Sequence, residues 1–147
     1  HCRRSHVGTC EPLSNPEDIL IQLLWVGLGG FAGAIGRYSV GVSMQRLDPL
    51  GQIPYGTRLV NVLGCLVIGA LGGWLDARQI SIAPALRLFL FVGVLGGFTT
   101  FSAFAFETLS LTRSGATLSA LLHVGAHLVL CLLAVGVGDA SARVLGR

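Results

Sequence analysis

The chain has 147 residues, 52% of them hydrophobic and 12% charged, with a net charge of +3 and a mean hydropathy of +0.74. A soluble domain carries about 25% charged residues, so this composition excludes an ordinary water-soluble fold and points to a membrane protein. All ten cationic side chains are scattered arginines, which gives no basic patch for nucleic acid.

At roughly 20 residues per span, the length accommodates about four transmembrane helices and leaves no room for a second domain. Residues 1–18 are polar, with Pro12, Ser14, Asn15 and Pro16, and read as a disordered tail ahead of one membrane domain over residues 19–147. Cys2 and Cys10 lie in that tail, where pairing is open but not required. Asn15-Pro16-Glu17-Asp18 is a helix start with acids in the first turn. The first span runs from about Ile19 to Val42. Its Gly29-x-x-x-Gly33 spacing puts two glycines on one face, where another helix approaches closely. Arg37 near its far end has two readings: a side chain snorkelling to the interface, or a vestibule charge that attracts anions.

Asp48-Pro49 and Gly51 mark a loop over Ser43 to Pro54, and the second span covers about Tyr55 to Leu75. Asn61 stands there in an apolar setting, either as hydrogen-bonding glue between helices or as the lining of a polar path. Pro84 opens the third span, within the apolar segment Ala83 to Leu111. Its Gly96-Gly97-Phe98-Thr99-Thr100 run is poor helix interior, since glycine costs roughly 1 kcal/mol against alanine. The helix is expected to break there. In lipid the freed N–H and C=O groups need internal partners, so the break should be buried in protein and hold a ligand. Freed carbonyls suit a cation, and the N–H groups of the resumed helix suit an anion. Phe101, Phe104 and Glu107 then recur every three residues on one face. Glu107 lies either near the interface or inside a wet cavity.

A turn over Thr112 to Gly115 precedes the fourth span, from about Ala116 to Val137. His123, His127 and Cys131, spaced by four, form one stripe that either packs between helices or faces a conduction path. A zinc site needs more ligands than this stripe offers. With four spans both termini share a side. Arg3, Arg4, Arg78, Arg87, Arg143 and Arg147 fall there, against Arg37, Arg46, Arg58 and Arg113 opposite. That weak bias leaves orientation poorly specified under the positive-inside rule. Insertion both ways would allow an antiparallel dimer, with two Gly96–Thr100 breaks facing each other across a two-fold axis.

Two segments carry a family resemblance: Gly56-Thr57-x-x-x-Asn61-x-x-Gly64, and Gly93-x-x-Gly96-Gly97-Phe98-Thr99-Thr100-Phe101-Ser102-x-Phe104-x-x-Glu107. Together with a looser match around Gly30, Gly33, Ala34, Gly36, Arg37 and Tyr38, they resemble the Fluc-type (CrcB-like) fluoride channels over about Leu23 to Val144. The resemblance implies an all-α, multi-pass protein of the inner (plasma) membrane: four transmembrane helices, the third broken, in a dual-topology antiparallel dimer. It implies passive export of fluoride from the cytoplasm, no catalytic residues, and a central structural sodium ion on the carbonyls of Gly96 and Thr99 of both subunits. The fluoride path falls on Asn61, Phe101, Phe104 and His127. Arg37, Thr57, Thr100, Ser102, Glu107 and His123 take vestibule or accessory places. Aromatic rings are positive at their edges, so rings presented edge-on can replace hydration without a fixed charge that would trap the ion. Asn61 can donate an N–H to the same ion.

The fourth span departs from the family pattern. His127 and Cys131 stand where serine or threonine is usual, and His123 where an aromatic hydroxyl is common. Histidine still donates hydrogen bonds, and its charge can change near neutral pH. The departure leaves two assemblies open: a homodimer, or a heterodimer with a paralogous four-helix subunit in which only part of the pore is intact. A small multidrug-type antiporter is also a four-span dual-topology dimer, but it needs a carboxylate in the first span. Ile19 to Gly36 has none.

Overall fold

A computed structural model describes residues 3–4, 10–11, 15–47 and 55–146. Among these, four helical stretches are long and apolar enough to cross a membrane: Pro16–Arg46, Tyr55–Ala77, Pro84–Arg113 and Thr117–Leu145. They correspond to the four expected spans. We label the helices α1 (Pro16–Leu47), α2 (Tyr55–Ala77), α3 (residues 84–98), α4 (Phe101–Arg113) and α5 (Thr117–Leu145). In the polar tail, β1 (Arg3–Arg4) and β2 (Cys10–Glu11) pair antiparallel, Arg3 opposite Glu11 and Arg4 opposite Cys10. The rest of residues 1–14, and with it any Cys2–Cys10 bond, lies outside the described residues.

Helix α1 begins at the expected start signal and is longer than expected at its far end. It starts at Pro16, whose missing N–H costs nothing at a first helical position, and Glu17 and Asp18 in the first turn favour that start. It continues to Leu47, five residues beyond the expected Val42. Ser39 and Ser43 do not end it, because their hydroxyls donate back to the carbonyls of Ile35 (2.9 Å) and Ser39 (2.8 Å) along the same helix. The turn residues at 48–51 lie outside the described residues. With 32 residues, α1 spans about 48 Å, more than the roughly 30 Å hydrocarbon layer.

Polarity is inverted relative to a soluble protein. Leu28, Phe31, Leu118 and Leu132 are exposed, while Asn61, Thr100, His123 and His127 are buried. Lipid tails give apolar side chains no reason to hide, so the helices are joined instead by close backbone approach. Between α1 and α3, a Cβ on Gly33 would run into the Val94 carbonyl oxygen, and one on Gly97 would lie 2.7 Å from the Gly30 carbonyl oxygen. Gly93 meets Gly29 in the same way, so the expected Gly29/Gly33 face is a contact face. Between α2 and α5, Gly138 sits against the Leu66 carbonyl, Gly69 against that of Val135 and Gly73 against that of Asp139. At the far end of this pair, Arg143 donates from Nε to Asp139 Oδ2 at 2.8 Å and reaches Asp76 Oδ2 at 3.4 Å.

The third span changes character twice. Pro84–Arg87 is α-helical, Leu88–Leu95 is π-helical, and Gly96–Phe98 closes α3 with a single α-helical turn. Thr99 and Thr100 are then extended before α4 resumes. The helix is interrupted within the expected run.

The glycine seams make a direct prediction. Gly138→Ala places a methyl group in the Leu66 carbonyl and should destabilise the α2–α5 pair by about 1–3 kcal/mol. Gly136→Ala, two residues away and facing open space, should be neutral. Thermal unfolding of the two variants in detergent measures the difference.

Candidate functional site

The site lies where α2 and α5 close over the gap between α3 and α4. The N–H of Thr99 donates to the Leu95 carbonyl at 3.0 Å, the last rung of α3. The next rung, from Thr100 N–H to the Gly96 carbonyl, is missing, because Thr100 is extended (φ −149°, ψ 111°). Its N–H goes instead to Asn61 Oδ1 at 2.7 Å, and Asn61 Nδ2 donates to the Thr100 carbonyl at 2.9 Å. The side-chain amide of α2 thus stands in for the peptide unit that the break removes. Thr100 Oγ1 accepts from Ala103 N–H at 3.2 Å and caps α4, with Ser102 Oγ 3.2 Å away. Gly64 makes room for this arrangement, since a Cβ there would strike the Thr99 methyl group.

These bonds fix the chemistry of His127. Thr100 N–H is a donor, so the Asn61 atom facing it is the oxygen and the other is the NH2 group. That group also lies 2.9 Å from His127 Nε2, which must therefore accept. The neutral ring then carries its hydrogen on Nδ1, an assignment made from the partners. His127 Nδ1 is buried and has no partner among the described residues. Both hydrogens of the Asn61 amide are engaged, so donation by Asn61 to a further ligand requires release of His127 or Thr100.

Phe104 is the centre of an aromatic stack. Its ring centroid lies 4.4 Å from that of His127, 5.3 Å from His123 and 5.4 Å from Phe101. Phe104 is 7% exposed and Phe101 76%. Beyond the stack lies a second polar cluster. Arg58 Nη2 donates to His123 Nδ1 at 3.1 Å, which leaves the hydrogen of the neutral ring on Nε2, 3.6 Å from Glu107 Oε2. Thr57 donates its hydroxyl to Glu107 Oε1.

A cavity of about 420 Å³ opens beside the break and gathers Asn61, Gly96, Thr99, Thr100, Phe101, Phe104 and His127 on its walls, with Cys65 and Cys131. Both cysteines are free thiols. Thr57, Glu107 and His123 belong to the neighbouring cluster, which Phe104 joins to the cavity. Ser102 is exposed at the start of α4. Arg37 joins neither group: it is half-buried on α1 and forms no ion pair among the described residues. Among the described residues, Arg58 is the cation that reaches the site. Its signal was its position, three residues before Asn61 and therefore on the same face of α2.

Residues 24–139 match the family model of the CrcB-like protein, Camphor Resistance (CrcB). A Hyphomonas neptunium protein named fluoride-specific ion channel FluC is 47% identical over 120 residues, covering 82% of this chain and 94% of the relative. Relatives of the same name from Nitratidesulfovibrio vulgaris and Acidobacterium capsulatum are 40% and 44% identical, over 84% and 80% of this chain and 98% and 93% of their own. Built on an interrupted third span and matched over most of its length, the chain belongs to the CrcB-like protein family.

Proposed function

We propose that the chain is a subunit of a fluoride-selective channel that lets fluoride leave the cytoplasm passively. Hydrogen fluoride enters cells as a neutral molecule and dissociates inside, so an anion-selective leak is enough to remove the trapped ion. The observation that carries the reading is the Asn61-bridged break opening on a cavity walled by Phe101, Phe104 and His127. The relatives, named as fluoride-specific channels, supply the ion. An anion beside these rings meets their positive edges and the unpartnered Nδ1–H of His127, while Asn61 holds that histidine in the donating tautomer. Histidine at the serine-like position therefore keeps a donor, which favours a complete pore over the reading of a subunit with only part of one. Among the described residues the hydrogen-bond partners at the break are neutral, and loose binding of this kind permits exit.

The working unit is an antiparallel dimer. Phe101 is three-quarters exposed on the single subunit while its companion Phe104 is buried, so the aromatic pair is left half-covered without a second copy. The break faces the same cavity, and the Gly96 carbonyl has lost its helical partner at Thr100. Among the described residues no three His, Cys, Asp or Glu side chains gather around a metal, so a cation at the break would be held by carbonyl oxygens. Neutral oxygens suit a hard cation such as sodium, with Gly96 and Thr99 of each subunit as the donors. When bound, the ion would tie the two breaks together.

Three outcomes are expected. In liposomes the purified chain should release fluoride, and Phe104→Ile should slow release about tenfold or more, the effect of losing roughly 1.4 kcal/mol of ion binding. No release from well-folded wild-type protein would overturn the reading. Asn61→Asp removes the donor to both the Thr100 carbonyl and His127 Nε2, and should cost about 1–3 kcal/mol for each buried group left unpaired, read by thermal unfolding. Raising sodium at constant ionic strength should raise the melting temperature, because a ligand of the folded dimer stabilises it by mass action; cesium should not. Equal melting curves in the two salts would reject the sodium site.

A further inference from the structure

A vestibule charge that draws anions is one of the two readings of Arg37, yet a different arginine stands beside the aromatic stack. Arg58 lies in the first turn of α2, half-buried, next to Thr57 in sequence. It donates to His123 Nδ1 at 3.1 Å, and the other nitrogen of that ring lies 3.6 Å from Glu107 Oε2. Arg58 forms no ion pair with a carboxylate among the described residues, so its charge meets that of Glu107 only across the histidine. The buried side-chain polar atoms without partners among the described residues all fall in this neighbourhood: Arg58 Nε, Glu107 Oε2, His123 Nε2 and His127 Nδ1. His123 itself is 2% exposed and stacks on Phe104 at 5.3 Å.

Glu107 poses a problem for an anion route. A bare carboxylate about 6 Å from a passing anion, at an effective dielectric constant of about 20, slows passage on the order of 100-fold. We propose that Arg58 is the charge-compensating residue of the route: held through His123, it offsets Glu107, so that an anion passing Phe104 meets a neutral pair instead of a lone carboxylate. Histidine can stand between the two because it accepts from Arg58 on one nitrogen and turns the N–H of the other toward the carboxylate, 3.6 Å away and without a hydrogen bond. The ring's width keeps the charges from collapsing into a contact pair, and Arg58 Nε–H keeps no partner among the described residues. This inference rests on the reading of the chain as a fluoride channel.

The test is fluoride release from liposomes carrying wild type, Arg58→Gln, Glu107→Gln or both changes together. Arg58→Gln should slow release at least about tenfold, and adding Glu107→Gln should restore most of the loss, because the uncompensated charge is gone. A purely structural role for Arg58 would not be relieved by removing the carboxylate across the ring. Wild-type rates in Arg58→Gln would overturn the inference, as would a folded double variant no faster than Arg58→Gln alone. Should wild type release no fluoride, the channel reading itself falls. The pairing is then judged by a double-mutant cycle on thermal unfolding, in which zero coupling between Arg58 and Glu107 overturns it independently.

Discussion

The two hydrogen bonds between the Asn61 side chain and the Thr100 backbone are the constraint on which the rest of the structure depends. An extended pair of residues at mid-span exposes an N–H and a C=O to a medium that offers neither donors nor acceptors, at several kcal/mol per group. A carboxamide is the side chain that can satisfy both at once. It must arrive from a neighbouring helix at fixed depth, and the glycine contacts of α2 with α5 hold that helix in place. The same amide then sets the tautomer of His127 from α5. One side chain thus links three helices and decides which nitrogen of a buried ring carries the proton.

The two histidines are oriented by opposite kinds of neighbour. His127 accepts from a neutral amide, and His123 accepts from a guanidinium while turning its other nitrogen toward a carboxylate. Phe104 lies against both rings. The apolar stack therefore separates a neutral network at the break from a charged network seven residues further along α4, about 10 Å away.

Much of this was legible in the sequence. The four spans follow from apolar run lengths, and the interruption follows from adjacent glycines and threonines in a segment that otherwise favours helix. The Gly29/Gly33 face was readable from its spacing, because small residues four apart create a groove on any helix. Three features were not legible. The π-helical turn at Leu88–Leu95 carries no composition signal, since Leu, Phe and Val fill α and π turns alike. The extra length of α1 was hidden by Gly41 and Ser43, where serine-to-carbonyl bonds inside the helix offset weak propensity. Arg58 carries no decisive local signal of a role, because an arginine near a helix start is ordinary at a membrane boundary. Only the position of His123, 65 residues away in the chain, gives it a buried partner. Contacts between distant parts of the chain have no local signature.

The glycine seams have a consequence for membrane energetics. Where backbone lies directly on backbone, no side chain can swing aside to admit a water file, so the joints between helices act as seals. Protons and sodium stored across a bilayer would drain through any wet crack between transmembrane segments. With those joints dry, an anion route beside Phe104, as proposed, would leave the ion gradients that power the cell intact.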